Sequence, residues 1–274
     1  MNDGLAVRIN EPLARHTALR TGGRCEAWVV VHREASLAPM IADCRQAGWK
    51  WTVLGAGTRT IVRDGPVSGV VFRLGTDFAR LDAVDGGFLA GAAVPVPAVV
   101  AAARAAGLTG IEAFADVQGS FGASLALDSG WADWVTSVRF LHRGKVREAP
   151  LDEVQGRKRI LLGAQLLLAQ GESRRIGKAV SKQIASSPPG SWYVPPKRRN
   201  LRKVFRSVQL PMVRLRRVAI PDAAPETLVN LGGGTAADLA LLHKSASDRV
   251  KKSRGLDLDS RLKWIGARVA PSSP

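Results

Sequence analysis

Two segments rich in glycine and serine contain the residue types that hold phosphate groups. The first is GAGTRTIVRDG, in which Gly55 and Gly57 let backbone amides approach a ligand without a Cβ in the way. The second is GIEAFADVQGSFGASLALDSG, in which the hydroxyls of Ser120 and Ser124 could donate to phosphate oxygens. Glycine clusters also form ordinary turns, so each segment alone is a weak signal. Together they suggest a diphosphate that lies between two loops.

The elements that must position these loops follow from hydrophobic periodicity. It predicts strands at 26–31, 51–54, 69–74, 135–141 and 160–168, and helices at 36–48, 97–106 and 236–254. Pro97 can open the second helix and Gly107 stops it, while Gly255 is the expected C-cap of the third. Helices mixed with strands predict an α+β fold with an antiparallel or mixed sheet.

The chain is strongly basic, which limits its partners. Among 274 residues, 40 Lys and Arg oppose 23 Asp and Glu, a balance that attracts phosphate-bearing molecules or simply reflects a basic proteome. A run from Lys197 to Arg217 contains basic residues and no acidic ones, and it is either a solvated face or an anion-binding surface. Aromatic residues make up only 5% of the chain, so nucleic-acid binding by base stacking is not expected.

Membrane insertion and metal binding have little support in the sequence. The apolar stretch from Phe88 to Ala103 is interrupted by Pro95 and Pro97 and is short for a membrane span. The N-terminal residues lack the apolar run of a secretory signal, so we expect a cytoplasmic protein with no membrane span. The cysteines are too few for a zinc cluster, and we expect no metal.

Six segments in order resemble one known family. They are NEPLARHTALRTGG, LGAGTRTIVRDG, GIEAFADVQGSFGASLALDSG, GSWY, LVNLGGGTAADLALLHKSASDRV and RGLDLDSRLKWIG. From about residue 10 to 266 this order resembles the UDP-N-acetylenolpyruvoylglucosamine reductases of peptidoglycan precursor synthesis. The resemblance implies a two-lobed FAD-binding fold of the PCMH/vanillyl-alcohol-oxidase type with a C-terminal α/β substrate domain. The implied domains are lobe 1 at 1–76, lobe 2 at 77–172 and the substrate-type domain at 173–274.

The resemblance implies specific flavin contacts. The family's first glycine-rich loop is matched by Gly55, Ala56, Gly57, Thr58 and Arg59, where Arg59 replaces an asparagine. Its second loop is matched by Val117, Gln118, Gly119, Ser120, Gly122 and Ala123, with Gln118 and Ala123 departing from the pattern. Ser124 follows within the same segment, and Asp128 stands where the family has asparagine. FAD is therefore the expected cofactor, with NADPH as reductant if the protein is active, and a UDP-sugar as the expected small-molecule partner.

The resemblance also identifies catalytic positions, several of which are changed. GSWYVPP aligns with the family segment that holds the serine proton donor, which makes Ser191 its counterpart, but Val194 and Pro195 replace the family's Lys and Asn. No Tyr-Arg-x-Ser motif lies between 141 and 160, where Arg157 or Arg159 would be the stand-in. Arg261 occupies the position of the C-terminal catalytic glutamate. Further departures from the family pattern are Arg216, Arg217 and Ala224.

Three functional hypotheses follow. The first is a divergent family member that keeps the scaffold, has little or no reductase activity, and binds the nucleotide-sugar, the flavin or a neighbouring cell-wall enzyme. The second is an active reductase with relocated catalytic groups, for example Arg216 with Glu112 or Glu226. The third is a basic module that binds an anionic polymer or nucleic acid through Lys197 to Arg217.

Overall fold

The computed structural model describes residues 4–157, 159–186, 192–193 and 200–267. The chain divides into two compact units, the first from 1–9, 27–56 and 69–187 and the second from 10–26, 57–68 and 188–274. The predicted boundaries at 76 and 172 separate two flavin-binding lobes from each other and from a substrate domain. The compact units do not test which part binds the flavin or the substrate, so these domains stay a prediction.

The described residues contain the following helices and strands. The strands are β1 (Leu5–Pro12), β2 (Arg24–Val31), β3 (Trp51–Val53), β4 (Thr60–Val62), β5 (Val67–Leu74), β6 (Leu81–Val84), β7 (Gly87–Gly91), β8 (Leu108–Thr109), β9 (Val135–His142), β10 (Lys145–Ala149), β11 (Ile160–Leu167), β12 (Ala169–Gln170), β13 (Arg214–Leu215), β14 (Val218–Ala219), β15 (Val229–Asn230) and β16 (Lys263–Ile265). The helices are α1 (Glu34–Gln46), α2 (Val96–Ala105), α3 (Phe121–Leu127), α4 (Leu151–Val154), α5 (Ser173–Ser186), α6 (Leu201–Ser207) and α7 (Ala236–Arg254). The mixture confirms the α+β prediction.

The first unit contains most of a four-stranded sheet in the order β1-β2-β5-β3, in which β3 runs parallel to β5. Helix α1 covers it because Leu37, Ile41 and Cys44 recur at helical spacing and are all buried. They pack with Val31 and Phe72 in one hydrophobic cluster. The last residue of β3 is Val53, and the first glycine loop begins two residues later at Gly55.

The first unit also contains a five-stranded sheet in the order β10-β9-β11-β7-β6, whose neighbouring strands are all antiparallel. Its core contains Val96, Val99 and Val100 of α2 together with Phe121 and Trp131. The chain leaves α2 through Gly107, whose φ of 69° is the left-handed conformation that ends a helix at glycine. This confirms the predicted helix stop at Gly107. Further along the chain, α3 begins directly after Ser120 of the second glycine loop.

The second unit is built around α7. The helix begins with a capping box in which the Thr235 side chain accepts from the Asp238 amide while the Asp238 carboxylate accepts from the Thr235 amide. It ends at Gly255, with a φ of 64°, as predicted. Buried Leu239 and Phe205 share a core with Tyr193, and the small sheet β13-β14-β15 and the parallel pair of β16 with β4 complete the unit.

The predicted strands and helices all occur, with ends shifted by a few residues. The periodicity missed β1, α5 and several short strands. The basic run contains the helix α6, which Asn200 caps and in which Leu201 and Phe205 are buried. Among the described residues, no helix combines the length and the apolar character needed to cross a membrane.

Candidate functional site

The structure brings the two glycine loops of the first unit together. Gly55 follows β3 directly after Leu54, and it lies against Ser120, the residue before α3. A methyl group added at Gly55 would be 2.7 Å from the Ser120 hydroxyl oxygen and 3.5 Å from the Ala123 Cβ. Gly55 therefore leaves space that any other residue would fill, and its contact with Ser120 connects segments 65 positions apart (120 − 55).

Several polar groups of these loops are unused by the protein. Within the described ranges, the backbone N–H groups of Gly55, Ala56, Gly119 and Ser120 donate to no protein acceptor. The Ser120 side chain is 7% exposed and makes no capping hydrogen bond to α3. Half-buried amides clustered around glycines form an anion-binding concavity. These four amides and the Ser120 hydroxyl are the part of the predicted site best suited to a phosphate.

Gly122 belongs to the packing of the first unit. Its amide donates to the Ala92 carbonyl at 2.9 Å, and the neighbouring Phe121 amide donates to Val94 at 2.7 Å. A methyl group at Gly122 would lie 2.6 Å from the Ala92 Cβ. Glycine is needed at this position because another backbone segment approaches it closely. This packing accounts for the glycine even if no ligand contacts it.

Ser124 lies in the core behind the loop. The residue is 4% exposed, and its hydroxyl accepts a hydrogen bond from the Trp131 indole N–H at 2.8 Å. Trp131 is fully buried and stacks on Phe114 with ring centroids 3.8 Å apart. A hydroxyl retains one donor after accepting this bond, so the phosphate contact expected of Ser124 stays a prediction while its structural role is visible.

The rest of the first loop helps to build the second unit. Gly57 has a φ of 70°, and a methyl group there would collide with the His16 carbonyl oxygen. Its own carbonyl accepts from the Ala18 amide at 3.1 Å, and the Arg59 carbonyl accepts from Lys263 at 2.9 Å. These backbone bonds do not test the flavin contacts predicted for Gly57, Thr58 and Arg59. Those contacts stay predictions.

Asp64, in the same loop motif, has a role that sequence reasoning missed. Its carboxylate accepts hydrogen bonds from the amides of Ala236 at 2.8 Å and Ala237 at 3.0 Å. These amides belong to the first turn of α7, where backbone donors lack partners within the helix. The Thr235 capping box was a recognisable signal for the helix start, but nothing local indicates that Asp64 reaches it.

Ser191 lies outside the described residues, whereas Trp192 and Tyr193, which follow it in the sequence, are described. The Trp192 amide donates to the Glu226 carbonyl at 3.2 Å, and the Trp192 carbonyl accepts from the Arg261 amide at 2.8 Å. Tyr193 forms an isolated antiparallel bridge with Ser260. The second unit therefore holds the segment after Ser191 directly beside the segment that contains Arg261.

The groups near this segment are buried. Tyr193 stacks on the His243 ring with centroids 4.7 Å apart, and its hydroxyl donates to the His243 carbonyl at 3.3 Å. Burial raises the pKa of Tyr193 above its ordinary value and lowers the pKa of His243. Both are therefore neutral near pH 7, and neither supplies charge to a nearby ligand.

The proposed replacements for the lost catalytic groups have other partners. Arg216 contacts the Asp238 carboxylate at 3.0 Å, whereas Glu226 lies 3.6 Å from Arg202. Glu112 accepts from the Gly110 amide at 2.9 Å within its own loop. Among the described residues, no three His, Cys, Asp or Glu side chains converge as metal ligands do.

Comparison with known proteins places these observations in a family context. The chain is 31% identical to the UDP-N-acetylenolpyruvoylglucosamine reductase of Anaeromyxobacter sp. over 278 residues, which span 93% of this chain and 87% of the relative. It is 27% identical to that of Geobacter metallireducens over 302 residues, covering 97% and 99% of the two chains. No protein-family model matches the sequence.

A solved structure supports the same fold. The UDP-N-acetylenolpyruvylglucosamine reductase of Thermus caldophilus superposes with a TM-score of 0.76, covering 94% of this chain and 98% of that one at 21% identity. At that identity the likeness shows the fold alone. The predicted fold class is therefore confirmed, and the predicted domain bounds stay a prediction.

Proposed function

This chain belongs to the UDP-N-acetylenolpyruvoylglucosamine reductase family, and we propose that it is a divergent member that keeps the FAD-binding scaffold but has little or no reductase activity. In this proposal the protein acts in peptidoglycan precursor synthesis by binding FAD, a UDP-sugar or a neighbouring cell-wall enzyme. The nucleotide-sugar named in the relatives' names is the first candidate ligand. The proposal of low activity depends on the residues that replace the family's catalytic groups, among them Arg261 beside the segment after Ser191.

The observation that carries the proposal is the hydrogen bond from the Arg261 amide to the Trp192 carbonyl, 2.8 Å long. It fixes Arg261 beside the residue that follows Ser191. The family resemblance implies a catalytic carboxylate at the position of Arg261, so this position carries a positive charge where the family has a negative one. Losing a positioned acid or electrostatic group commonly lowers the rate by about 10²- to 10⁴-fold.

The unused amides of the first unit support retention of a cofactor. The N–H groups of Gly55, Ala56, Gly119 and Ser120, with the Ser120 hydroxyl, fit the phosphate groups of FAD because they are donors with no protein acceptor within the described residues. These residues would hold the diphosphate. When bound, FAD supplies the redox chemistry of a reductase, while the chain supplies binding and orientation.

The alternatives have weaker support. A relocated pair of Arg216 and Glu226 would need both side chains free for substrate, yet each contacts a different partner, Asp238 and Arg202. In the basic run, Arg206 also contacts Asp222 at 3.4 Å. Partial neutralisation of this kind favours a solvated face over a surface built for nucleic acid.

The proposal is tested by two measurements on the purified full chain. The first is NADPH oxidation dependent on UDP-N-acetylglucosamine enolpyruvate with FAD supplied, using the Anaeromyxobacter relative as positive control. We expect substrate-dependent turnover at least about 10³-fold below that of the control, since several groups are lost together. Turnover within tenfold of the control, abolished by Ser191→Ala, would show an active reductase and end the proposal.

The second measurement is FAD binding, followed by the absorption spectrum and by titration of the apoprotein. We expect binding, and we expect Ser120→Ala to weaken it by about tenfold through loss of one hydrogen bond to a charged group. Ser181→Ala, an exposed serine on α5 outside the loops, is the matched control and should leave affinity unchanged. A protein that takes up no FAD would remove the cofactor from the proposal.

A further inference from the structure

One end of the five-stranded sheet carries positive charge that the proposed flavin scaffold does not use. Arg147 of β10 is paired directly with Phe140 of β9, and Lys145 is paired with His142. Residues paired across antiparallel strands, and those two apart on one strand, share a face of the sheet. Phe140, His142, Lys145 and Arg147 therefore lie on one face.

Arg159 joins this face just before β11. Its guanidinium carbon lies 4.4 Å from the centroid of the Phe140 ring, a cation–π contact. Stacking of this kind holds the planar group in one orientation and leaves its N–H donors pointing outward along the ring edges. Arg159 is thus oriented before any ligand arrives, which reduces the entropy that binding would cost.

The side chains surround a cavity of about 520 Å³, whose lining includes Phe140, His142, Arg147, Glu153 and Arg159. A volume of this size is typical of sites for small molecules, which range from about 300 to 1,000 Å³. None of the lining residues belongs to the glycine loops. The cavity lies instead along 140–159, the stretch in which the family's Tyr-Arg-x-Ser motif is missing.

The cavity lining holds two arginines, Arg147 and Arg159, and two carboxylates, Glu148 and Glu153. Within the part of the chain that the structure describes, Arg147 and Arg159 have no carboxylate within 4.0 Å. Glu148 lies 3.6 Å from Arg139, which also binds Glu34 at 2.7 Å. Glu148 therefore has a cationic partner outside the lining, whereas Glu153 forms no ion pair within the described residues.

We propose that this cavity is a binding site for the phosphate group of a small phosphorylated molecule. Arg147 and Arg159 provide the planar forks that bind phosphate oxygens in pairs, and the His142 ring provides a further donor. Glu153 can accept a hydrogen bond from a hydroxyl on the rest of the ligand. A single concave site with two carboxylates in its lining suits a small molecule better than the backbone of a polymer, which requires an extended basic track.

The site is tested by isothermal titration calorimetry of the full chain with inorganic pyrophosphate at constant ionic strength. We expect saturable binding that Arg147→Gln and Arg159→Gln each weaken by about tenfold, the loss expected for one charge-assisted contact. Arg73→Gln is the matched control, because Arg73 is exposed in the same unit and changes the net charge equally without lining the cavity. Its affinity should stay within about twofold of the parent, since distant exposed charges are screened by salt.

Three outcomes would overturn the proposal. They are no binding at millimolar pyrophosphate, an equal loss of affinity in Arg73→Gln, or binding of a single-stranded oligonucleotide with none of pyrophosphate. Circular dichroism of each variant separates lost binding from lost folding. Arg73 and Arg147 are exposed and Arg159 is half-buried, so we expect all three variants to fold. The cavity shares no residue with the flavin loops. Pyrophosphate binding is therefore expected even in a protein that takes up no FAD.

Discussion

The Asp64 carboxylate accepts a hydrogen bond from the Ala236 amide at 2.8 Å and so connects the first glycine-loop motif to the start of α7. A second bond from the Ala237 amide, 3.0 Å long, uses the other carboxylate oxygen. A negative charge at the N-terminus of a helix is stabilised both by the free amides and by the helix dipole. Asp64, the single acidic residue of GAGTRTIVRDG, is therefore structural.

Removing this carboxylate should destabilise the second unit. We expect Asp64→Ala to lower the free energy of unfolding by about 1–2 kcal/mol, the usual effect of losing a helix cap. Urea unfolding followed by circular dichroism measures it. Asp222→Ala is the control, because Asp222 contacts Arg206 at 3.4 Å with both side chains more than half exposed, and such pairs contribute only about 0–1 kcal/mol. Equal effects of the two substitutions would contradict the capping role.

The capping box of α7 should make stability depend on pH. Burial alone would raise the pKa of Asp238, but hydrogen bonds from Thr235 and the Arg216 guanidinium outweigh it and hold the pKa below its ordinary value. Because the folded pKa is depressed, the contribution is present above the unfolded pKa of about 3.9 and is lost as pH falls through the folded pKa.

The difference in unfolding free energy between the parent and Asp238→Asn should therefore be constant from neutral pH to about pH 5 and shrink in more acidic solution. Urea unfolding across this range measures it. Asp248→Asn serves for comparison, since Asp248 is exposed on the same helix and contacts Lys244 at 2.6 Å. A difference that grows on acidification would show that the sign is wrong.

The contact between Gly55 and Ser120 predicts a coupled pair of substitutions. A methyl group at Gly55 would meet the Ser120 hydroxyl oxygen at 2.7 Å, so we expect Gly55→Ala to cost about 1–3 kcal/mol through overpacking. Ser120→Ala removes that oxygen and should relieve most of the cost in the double variant. A double-mutant cycle in thermal or urea unfolding measures the coupling, and strict additivity would show that the loops do not touch.

Ser124 offers a test that separates packing from cofactor binding. Ser124→Ala leaves the buried Trp131 indole N–H without its acceptor, and the free energy of unfolding should fall by about 1–3 kcal/mol. FAD affinity should stay close to that of the parent, in contrast to Ser120→Ala. If Ser124→Ala instead weakens FAD binding without loss of stability, the serine contacts the cofactor as the sequence suggested.

His142 reports on the charge in the cavity of the first unit. Partial burial, followed by the charges of Arg143, Arg159 and Arg147, lowers the pKa of His142. We expect Arg159→Gln to raise this pKa toward the ordinary value of about 6.5, as measured by the shift of the ring protons in an NMR titration. Arg73→Gln should leave the titration unchanged. Since the folded pKa is lowered, the stability linked to His142 is lost as pH falls below the unfolded pKa.

The strands at 26–31 and 135–141 and the helix at 236–254 were predictable because their signals are local. Alternation, helical spacing, a capping threonine and a terminal glycine each act within a few residues. The short strands β13 to β15 have only two residues each and carry no such period. Their pairing is decided by the core of the second unit.

In the candidate site too, some features were predictable from the sequence and others were not. Residue types alone indicated that Gly55, Gly57, Gly119 and Ser120 form two phosphate-type loops, and the order of six motifs indicated the family. The sequence could not show which glycines serve packing, because the carbonyl of His16 and the Cβ of Ala92 approach Gly57 and Gly122 from distant parts of the chain.

Electrostatics show the contrast most clearly. The sequence determined the total charge and the composition of the basic run, since both are sums over residues. Only the tertiary structure decided that Arg216 meets Asp238, that Asp64 meets Ala236, and that Arg147 and Arg159 surround one cavity. The physical reason is that charge and hydrogen-bond energies depend on distances of a few ångströms, which folding alone sets between residues far apart in the chain.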